Sequence, residues 1–372
     1  MPLFMDFHKI ENITVEDVVS AHMADVSIQE KYGVKYHQFW VNQGVGSVFC
    51  LTEGPNKEAC ELVHQLAHGN IACALTEVES GTYKMFMGDS HQVDHGIVKK
   101  QDGSIDLGYR SILVASVRGI TDAGDSKDTH LLQIPEWTKR IVSENITQLN
   151  GREVKWETED SLIGVFNEAT DAVKCASQIQ SKLLANGHER KVVFKIGLSA
   201  DQPVTKDGEF FTKAIKLAYR LSNTAKDNQI LISSLVKKLC GEVVPSTSLV
   251  KYLDLSEEQF ASNLLDITDG NLANNNFSIE SMCKDIGVSR PQLYRKVTSL
   301  TGRAPNDFLR DLRMEKALAL LKQKAGNVAQ IALEVGYNNP SYFAKCFLDK
   351  FGCTPSEVQS PRAQTSDILK AF

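Results

Sequence analysis

Seven of the nine histidines fall within the first 95 of 372 residues, and several stand beside a carboxylate. His64 and His68 are four residues apart, which puts two imidazoles on one face of a helix. His22, Asp25 and Gln29 share a face of an earlier helix, and Asp6 and His8, two apart, share one side of a strand. Imidazole pairs at this spacing suit Ni²⁺, Zn²⁺ or Cu²⁺. His8, His64 and His68 are therefore the candidate metal ligands, with nickel or zinc the candidate ions. On this reading the helical pair is exposed, removable without unfolding, and loses metal as pH falls through about 6.5. The plainer reading makes the same histidines hydrogen-bonding members of a polar pocket or a dimer interface.

A second set of chemistry-bearing residues lies at the other end of the chain. "FSIESMCKDIGVSRPQLYRKVTSLTGRAP" (277–305) and "NVAQIALEVGYNNPSYFAKCFLDKFGCTP" (327–355) are two versions of one pattern. Ile279, Met282, Ile286 and Gly287 correspond to Val328, Ile331, Val335 and Gly336 at an offset of 49. After one inserted residue, Leu293, Val297, Gly302 and Pro305 correspond to Phe343, Phe347, Gly352 and Pro355. Each copy reads as a short helix, a glycine turn and a second helix, the plan of a helix-turn-helix. At 100° per residue, Leu293, Val297 and Leu300 face one way, while Pro291, Tyr294, Arg295 and Thr298 face the other. In the second copy Phe343, Cys346 and Phe347 point inward, and Ser341, Ala344, Lys345 and Leu348 point out. The aromatics of 336–355 are expected to build the core, and the small and basic residues between them to be presented. Two such helices on a stiff connector could enter successive major grooves of double-stranded DNA, about 34 Å apart.

The elements that must hold these groups can be read from local signals. Ser278 and Asn327 are good N-caps, and Gln330 completes a capping box with Asn327. Gly287 and Gly336 can take the left-handed conformation that ends the first helix of each copy. Asn339-Pro340 sets a cap before a proline in the first turn. "APNDFLRDLRMEKALALLKQ" (304–323) keeps helical spacing and joins the copies. Residues 1–80 alternate strand and helix as βαββαβ, the ferredoxin-like plan, and 108–250 alternate likewise as an α+β sandwich. The fold class is multidomain α+β plus all-α.

Composition sets limits. From residue 260 onward there are 14 Lys+Arg against 11 Asp+Glu, and before it 27 against 35. An acidic body with a mildly basic tail fits a tail that meets phosphate. Eight cysteines lack any C-x-x-C pair, and Cys50, Cys73, Cys175 and Cys346 sit in apolar runs, so buried reduced thiols are expected. The first residues carry charge too early for a signal peptide, and no apolar run reaches the roughly 18 residues a membrane span needs. A cytoplasmic protein without membrane contact is expected.

Three resemblances accompany these readings. "VSRPQLYRKVTSLTG" and "IALEVGYNNPSYFAKCFLDKFGCTPSE" make residues 258–361 similar to the DNA-binding domain of AraC/XylS-family transcription regulators. The resemblance implies that Tyr294, Arg295 and Thr298, then Ser341, Ala344 and Lys345, face bases or phosphates. It also implies that Arg290, Asn338 and Asn339 anchor phosphates near helix N-termini. Leu348 departs from the polar residue often found there. "EDSLIGVF", "KIGLSA", "KLAYRL" and "NQILIS" make residues 108–250 resemble a class III nucleotide cyclase domain. Such cyclases hold two metal ions with two aspartates. Asp160 matches the second of these, but Ser116 stands at the first, and Lys216 replaces a transition-state asparagine, although Arg220 remains. The domain is expected to be a non-catalytic scaffold or sensor. "MDFH", "AHMADVSIQEKYGVKYHQFWV", "VFCLTEGPNKEA" and "VHQLAHG" make residues 1–82 resemble small ferredoxin-like proteins described as nickel-binding. The whole is expected to be a DNA-binding regulator, not an enzyme. A metal ion or small-molecule inducer and a second copy, in a homodimer, are its further expected partners. A nucleotide cyclase fused to a DNA-binding domain is the rival reading.

Overall fold

The computed structural model describes residues 1–88, 92–119, 136–154, 161–186, 192–204, 206–241 and 249–359. The chain opens with β1 (Leu3–Lys9), α1 (Val15–Ile28), β2 (Lys35–Asn42), β3 (Ser47–Glu53), α2 (Lys57–Ala67) and β4 (Ala74–Val78). The strands pair antiparallel in the order β4-β1-β3-β2, the expected βαββαβ arrangement. After α3 (Ser80–Met87), a hairpin of β5 (Gln92–Asp94) and β6 (Ile97–Lys99) joins the β2 edge, so the first sheet runs beyond residue 82. A capping box between Thr14 and Asp17 starts α1, and Asn56 caps α2.

Alternation along β1 explains why nearly all of it is buried. Phe4 joins Val63 and Cys60 of α2 in one core, while Met5 and Phe7 turn to the opposite face. In an isolated ferredoxin-like unit that second face would meet water. Here it meets a second sheet.

That sheet is built from β7 (Arg110–Gly119), α4 (Glu136–Gln148), β8 (Arg152–Val154), β9 (Ser161–Phe166), α5 (Ala169–Asn186), β10 (Val192–Asp201), α6 (Thr212–Thr224), β11 (Ile230–Ile232), α7 (Ser234–Cys240) and β12 (Val250–Tyr252). Its strand order is β12-β11-β10-β7-β9-β8. Leu113 and Ala115 of β7 pack toward α4, α5 and α7; Ile112 and Val114 turn the other way, onto α6 and onto Met5, Phe7, Trp40 and Phe49 of the first sheet. Gly197 of β10 lets α6 lie close, since a Cβ there would meet Ala218 O at 2.0 Å. Arg110, fully buried where the two units join, donates to Asp106 at 3.1 and 2.8 Å and to Tyr109 O at 2.7 Å.

The rest is helical: α8 (Leu255–Asn271), α9 (Ile279–Ile286), α10 (Arg290–Thr301), α11 (Pro305–Lys322), α12 (Val328–Glu334), α13 (Pro340–Phe351) and α14 (Pro355–Gln359). The first helix-turn-helix, α9–α10, shares a core with α8 and with Leu221, Ala225 and Leu231 of the middle unit. The second, α12–α13, has its own core with Met314, Leu318 and Leu321 of α11. Gly336 takes φ +82°, and a Cβ there would meet Leu272 O at 2.5 Å, so this turn needs glycine for conformation and for space. Ion pairs Arg118–Glu315 (2.6 Å), Lys350–Glu315 (3.0 Å), Lys350–Asp311 (3.2 Å) and Arg303–Asp227 (3.0 Å) tie middle unit, connector and second motif together. The thiols divide: Cys50 and Cys175 are buried, Cys346 is partly so, and Cys73 is exposed because it lies just outside the edge strand β4. Among the described residues no helix is long and apolar enough to cross a membrane.

Candidate nucleic-acid interface and histidine pocket

Both presented helices are set by their ends. Ser289 and Gln292 form a capping box on α10, and the Asn339 side chain accepts from Ser341 N at 2.9 Å and Tyr342 N at 3.1 Å to start α13. Gly302 and Gly352, both left-handed, end them. Phe343, Phe347 and Phe351 form a buried ladder with ring centroids 5.8 and 4.6 Å apart. Tyr342 departs from the expected aromatic core. One residue before Phe343 it is turned about 100° around the helix, and it is 57% exposed.

Of the residues expected to meet DNA, Arg290, Arg295, Thr298, Asn338, Asn339, Ser341 and Lys345 are exposed, while Tyr294 and Ala344 are half-buried. Their hydrogen bonds separate them. Arg290 pairs with Glu280 at 3.2 Å and lies over the Tyr294 ring; Thr298 donates to Arg303 O at 3.3 Å; Asn338 accepts from Asn275. The Asn339 oxygen is spent on its cap, leaving the amide nitrogen as donor. Arg295 and Lys345 have no hydrogen-bond or ion-pair partner among the described residues.

The cyclase-like face is closed by chemistry of a different kind. The Ser116 hydroxyl lies 2.9 Å from that of Ser222 and 3.4 Å from that of Ser161, a hydroxyl cluster where a metal site needs carboxylate. Lys216 is exposed, and Arg220 is ion-paired with Asp266 of α8. The arginine that the resemblance retains is thus engaged by the chain's own helical region. Asp160 lies outside the described residues.

The histidine pocket lies between the first sheet and its two helices. His64 of α2 hydrogen-bonds through Nε2 to Asp6 (2.8 Å), while its Nδ1 lies 3.1 Å from Asp25 Oδ2 as an ion pair and 3.1 Å from His68 Nε2. His68 reaches Asp25 at 3.2 Å, and His8 reaches Asp6 at 3.6 Å. Burial alone would depress His64, but Asp25 and Asp6 outweigh it and lift its pKa to about 10. Against burial, His8 and His64 hold Asp6 well below the usual carboxylate range, and His64 and His68 lower Asp25. His22 is depressed by burial. His64 is therefore an imidazolium shared by two carboxylates.

Two expectations change as a result. The His64–His68 pair is not an exposed one: His64 is 2% exposed and central to the ion-pair set. Metal must displace its proton well above pH 6.5. The three candidate histidines also do not form one group; Asp6, His8 and His64 converge on one side, and Asp25, His64 and His68 on the other. The carboxylates were visible as neighbours on their own elements but not as partners of His64. The signal was Asp6 itself, an acid at an inward position between Met5 and Phe7, which must have a counterpart.

With this geometry in view, residues 282–360 match the family described as a helix-turn-helix domain. They form an AraC-type helix-turn-helix domain. Residues 4–78 match the family described as nickel responsive protein SCO4226-like. Among curated proteins, the chain is 35% identical over 118 residues to histidine kinase P4 of Formosa agariphila, covering 32% of this chain and 8% of that protein. It is 30% identical over 88 residues to the HTH-type transcriptional regulator MtrA of Neisseria gonorrhoeae, covering 24% and 29%. The chain thus spans less than a third of the length of either relative. Among solved structures, SCO4226 from Streptomyces coelicolor A3(2) is 36% identical, covering 20% of this chain and 94% of its own, with TM-score 0.20. An adenylate/guanylate cyclase/hydrolase from Silicibacter pomeroyi is 24% identical over 37% and 83%, with TM-score 0.31.

Proposed function

We propose that the chain is a sequence-specific DNA-binding transcription regulator whose AraC-type domain reads double-stranded DNA with α10 and α13. One observation carries this reading: Arg295 and Lys345 stand at equivalent exposed positions of two helices without a hydrogen-bond or ion-pair partner among the described residues, each helix backed by an apolar core and the two joined by α11. In the proposed working division, residues 1–82 sense a ligand, 108–250 form a non-catalytic scaffold, and 258–361 bind DNA as part of a homodimer in the cytoplasm. Fluorescence anisotropy with full-length protein and duplex from its own upstream region tests this. Binding should favour that duplex over a shuffled one and weaken steeply with salt, because Lys and Arg release condensed counterions. Equal affinity for both duplexes at every salt concentration would sink the reading.

The pocket's donor set fits a divalent metal of the nickel or zinc kind: mixed imidazole and carboxylate, with Asp25 Oδ1 and His22 Nδ1 buried and unsatisfied. Asp6, His8 and His64, or Asp25, His64 and His68, would hold it. Such an ion supplies positive charge where the His64 imidazolium now balances two carboxylates. Calorimetry with Ni²⁺ in two buffers of different ionisation enthalpy should show proton release near pH 7. Heat without any buffer dependence would count against displacement at His64.

A further inference from the structure

A crevice of about 230 Å³ separates α10 from the segment that leads from β12 into α8. Its apolar wall is Phe260 and Leu300; Lys251, Arg295, Lys296 and Ser299 stand around it. Glu257, the carboxylate in its lining, is already engaged, pairing with Lys251 at 2.8 Å and accepting from Asp254 N at 3.2 Å. Lys296 Nζ sits 4.9 Å from the centroid of the Phe260 ring, so its charge faces a π-system rather than an acid. Arg295 has no partner among the described residues. Two uncompensated cations over an aromatic and aliphatic wall are the complement of an anionic head on a small apolar body. The volume equals roughly eight waters at about 30 Å³ each, which admits a single ring or a short chain.

We propose that this crevice binds a small organic anion, an aryl or alkyl phosphate or carboxylate, and that its occupation withdraws Arg295 from DNA. The consequence for DNA rests on the regulator reading above; the binding itself does not. Full-length protein is titrated with phenyl phosphate in a calorimeter at fixed ionic strength, without DNA, and with inorganic phosphate for comparison. Phenyl phosphate should bind at least fivefold more tightly than inorganic phosphate. Lys251→Ala and Ser299→Glu should each weaken it at least fivefold while circular dichroism and melting temperature match the parent. In anisotropy, saturating phenyl phosphate should raise the Kd for the upstream duplex at least fivefold in the parent and less than twofold in Lys251→Ala. Absence of phenyl phosphate binding to the folded parent overturns the site, as does unchanged binding in both variants. Binding that tracks Lys251 and Ser299 in a protein that ignores DNA would uphold the site and refute the regulator function.

Discussion

In the first unit, the buried His64 hydrogen-bonds to Asp6 and holds its other ring nitrogen 3.1 Å from Asp25; on α10 and α13, Arg295 and Lys345 are exposed and meet no acid among the described residues. Both regions are rich in ionisable groups, but only the second has charge available to a macromolecular partner. In the pocket, charge is part of the fold, so altering it should be felt as stability. At Arg295 and Lys345, charge is engaged by no partner among the described residues, so altering it should be felt as affinity. The largest expected effect is therefore Asp6→Asn, which leaves a buried imidazolium with one counter-charge. Breaking a buried pair costs about 3–5 kcal/mol, and urea unfolding of the metal-free protein should register it. Arg295→Ala in the same assay should stay within about 0.5 kcal/mol. Equal unfolding midpoints for Asp6→Asn and the parent would erase the contrast.

The recognition helices themselves can be divided. Arg295→Ala should lose about 1–3 kcal/mol of discrimination between operator and random duplex, the worth of a bidentate contact to guanine. Arg290→Ala should lose affinity for both duplexes alike, because Arg290 sits at the start of α10 and shares its charge with Glu280 at 3.2 Å. Competition binding with the two duplexes measures the difference. A uniform loss in Arg295→Ala would assign that residue to phosphate.

How far the sequence revealed these regions follows from how local each one is. The helix-turn-helix pair depends on caps, glycine turns and 100° spacing, all within about thirty residues, and the observed helices carry the expected Ser278, Asn327 and Asn339 caps. The histidine pocket depends on β1, α1 and α2 converging, so periodicity could name the faces of His8, His22 and His64 but not their meeting point. The crevice and the Arg118–Glu315–Lys350 cluster join residues from different units, and no local pattern encodes them. Exposure of Tyr342 was misjudged because aromatic type outweighed its helical phase. The apolar run Ile112 to Ala115 of β7 is buried on both faces, and its partner on one of them, the first sheet, has no local signal in the sequence.

A smaller effect sharpens the pocket side. His64 titrates near 6.5 when unfolded and near 10 in the pocket. The native state thus keeps a proton that the unfolded chain releases. The stabilisation is complete below about pH 6.5 and declines as pH rises toward the folded value. Lys195 acts in the opposite sense from about pH 8, because burial, then Arg303, lower it to about 8. The interval from 6.5 to 8 therefore belongs to His64. Over it, urea unfolding of chelator-treated protein should lose on the order of 1–2 kcal/mol, and Asp25→Asn should flatten that slope. Stability that rises across this interval would mean that His64 is neutral.

The smallest expected effect lies on the second helix. Lys345 occupies the position equivalent to Arg295, but a lysine ammonium is a point charge without the planar fork that reads guanine. Its neighbours on the exposed side are Leu348, at 43% exposure, and half-buried Ala344, which offer methyl contact rather than hydrogen bonds. The two helices should therefore divide the work, α10 reading base edges by hydrogen bonding and α13 contributing charge and apolar contact. Lys345→Ala should weaken operator and random duplex by the same factor, and the slope of log Kd against log salt should fall by about one. Anisotropy at four salt concentrations on both duplexes separates the outcomes. A loss confined to the operator, with the salt slope unchanged, would make the two helices equivalent readers.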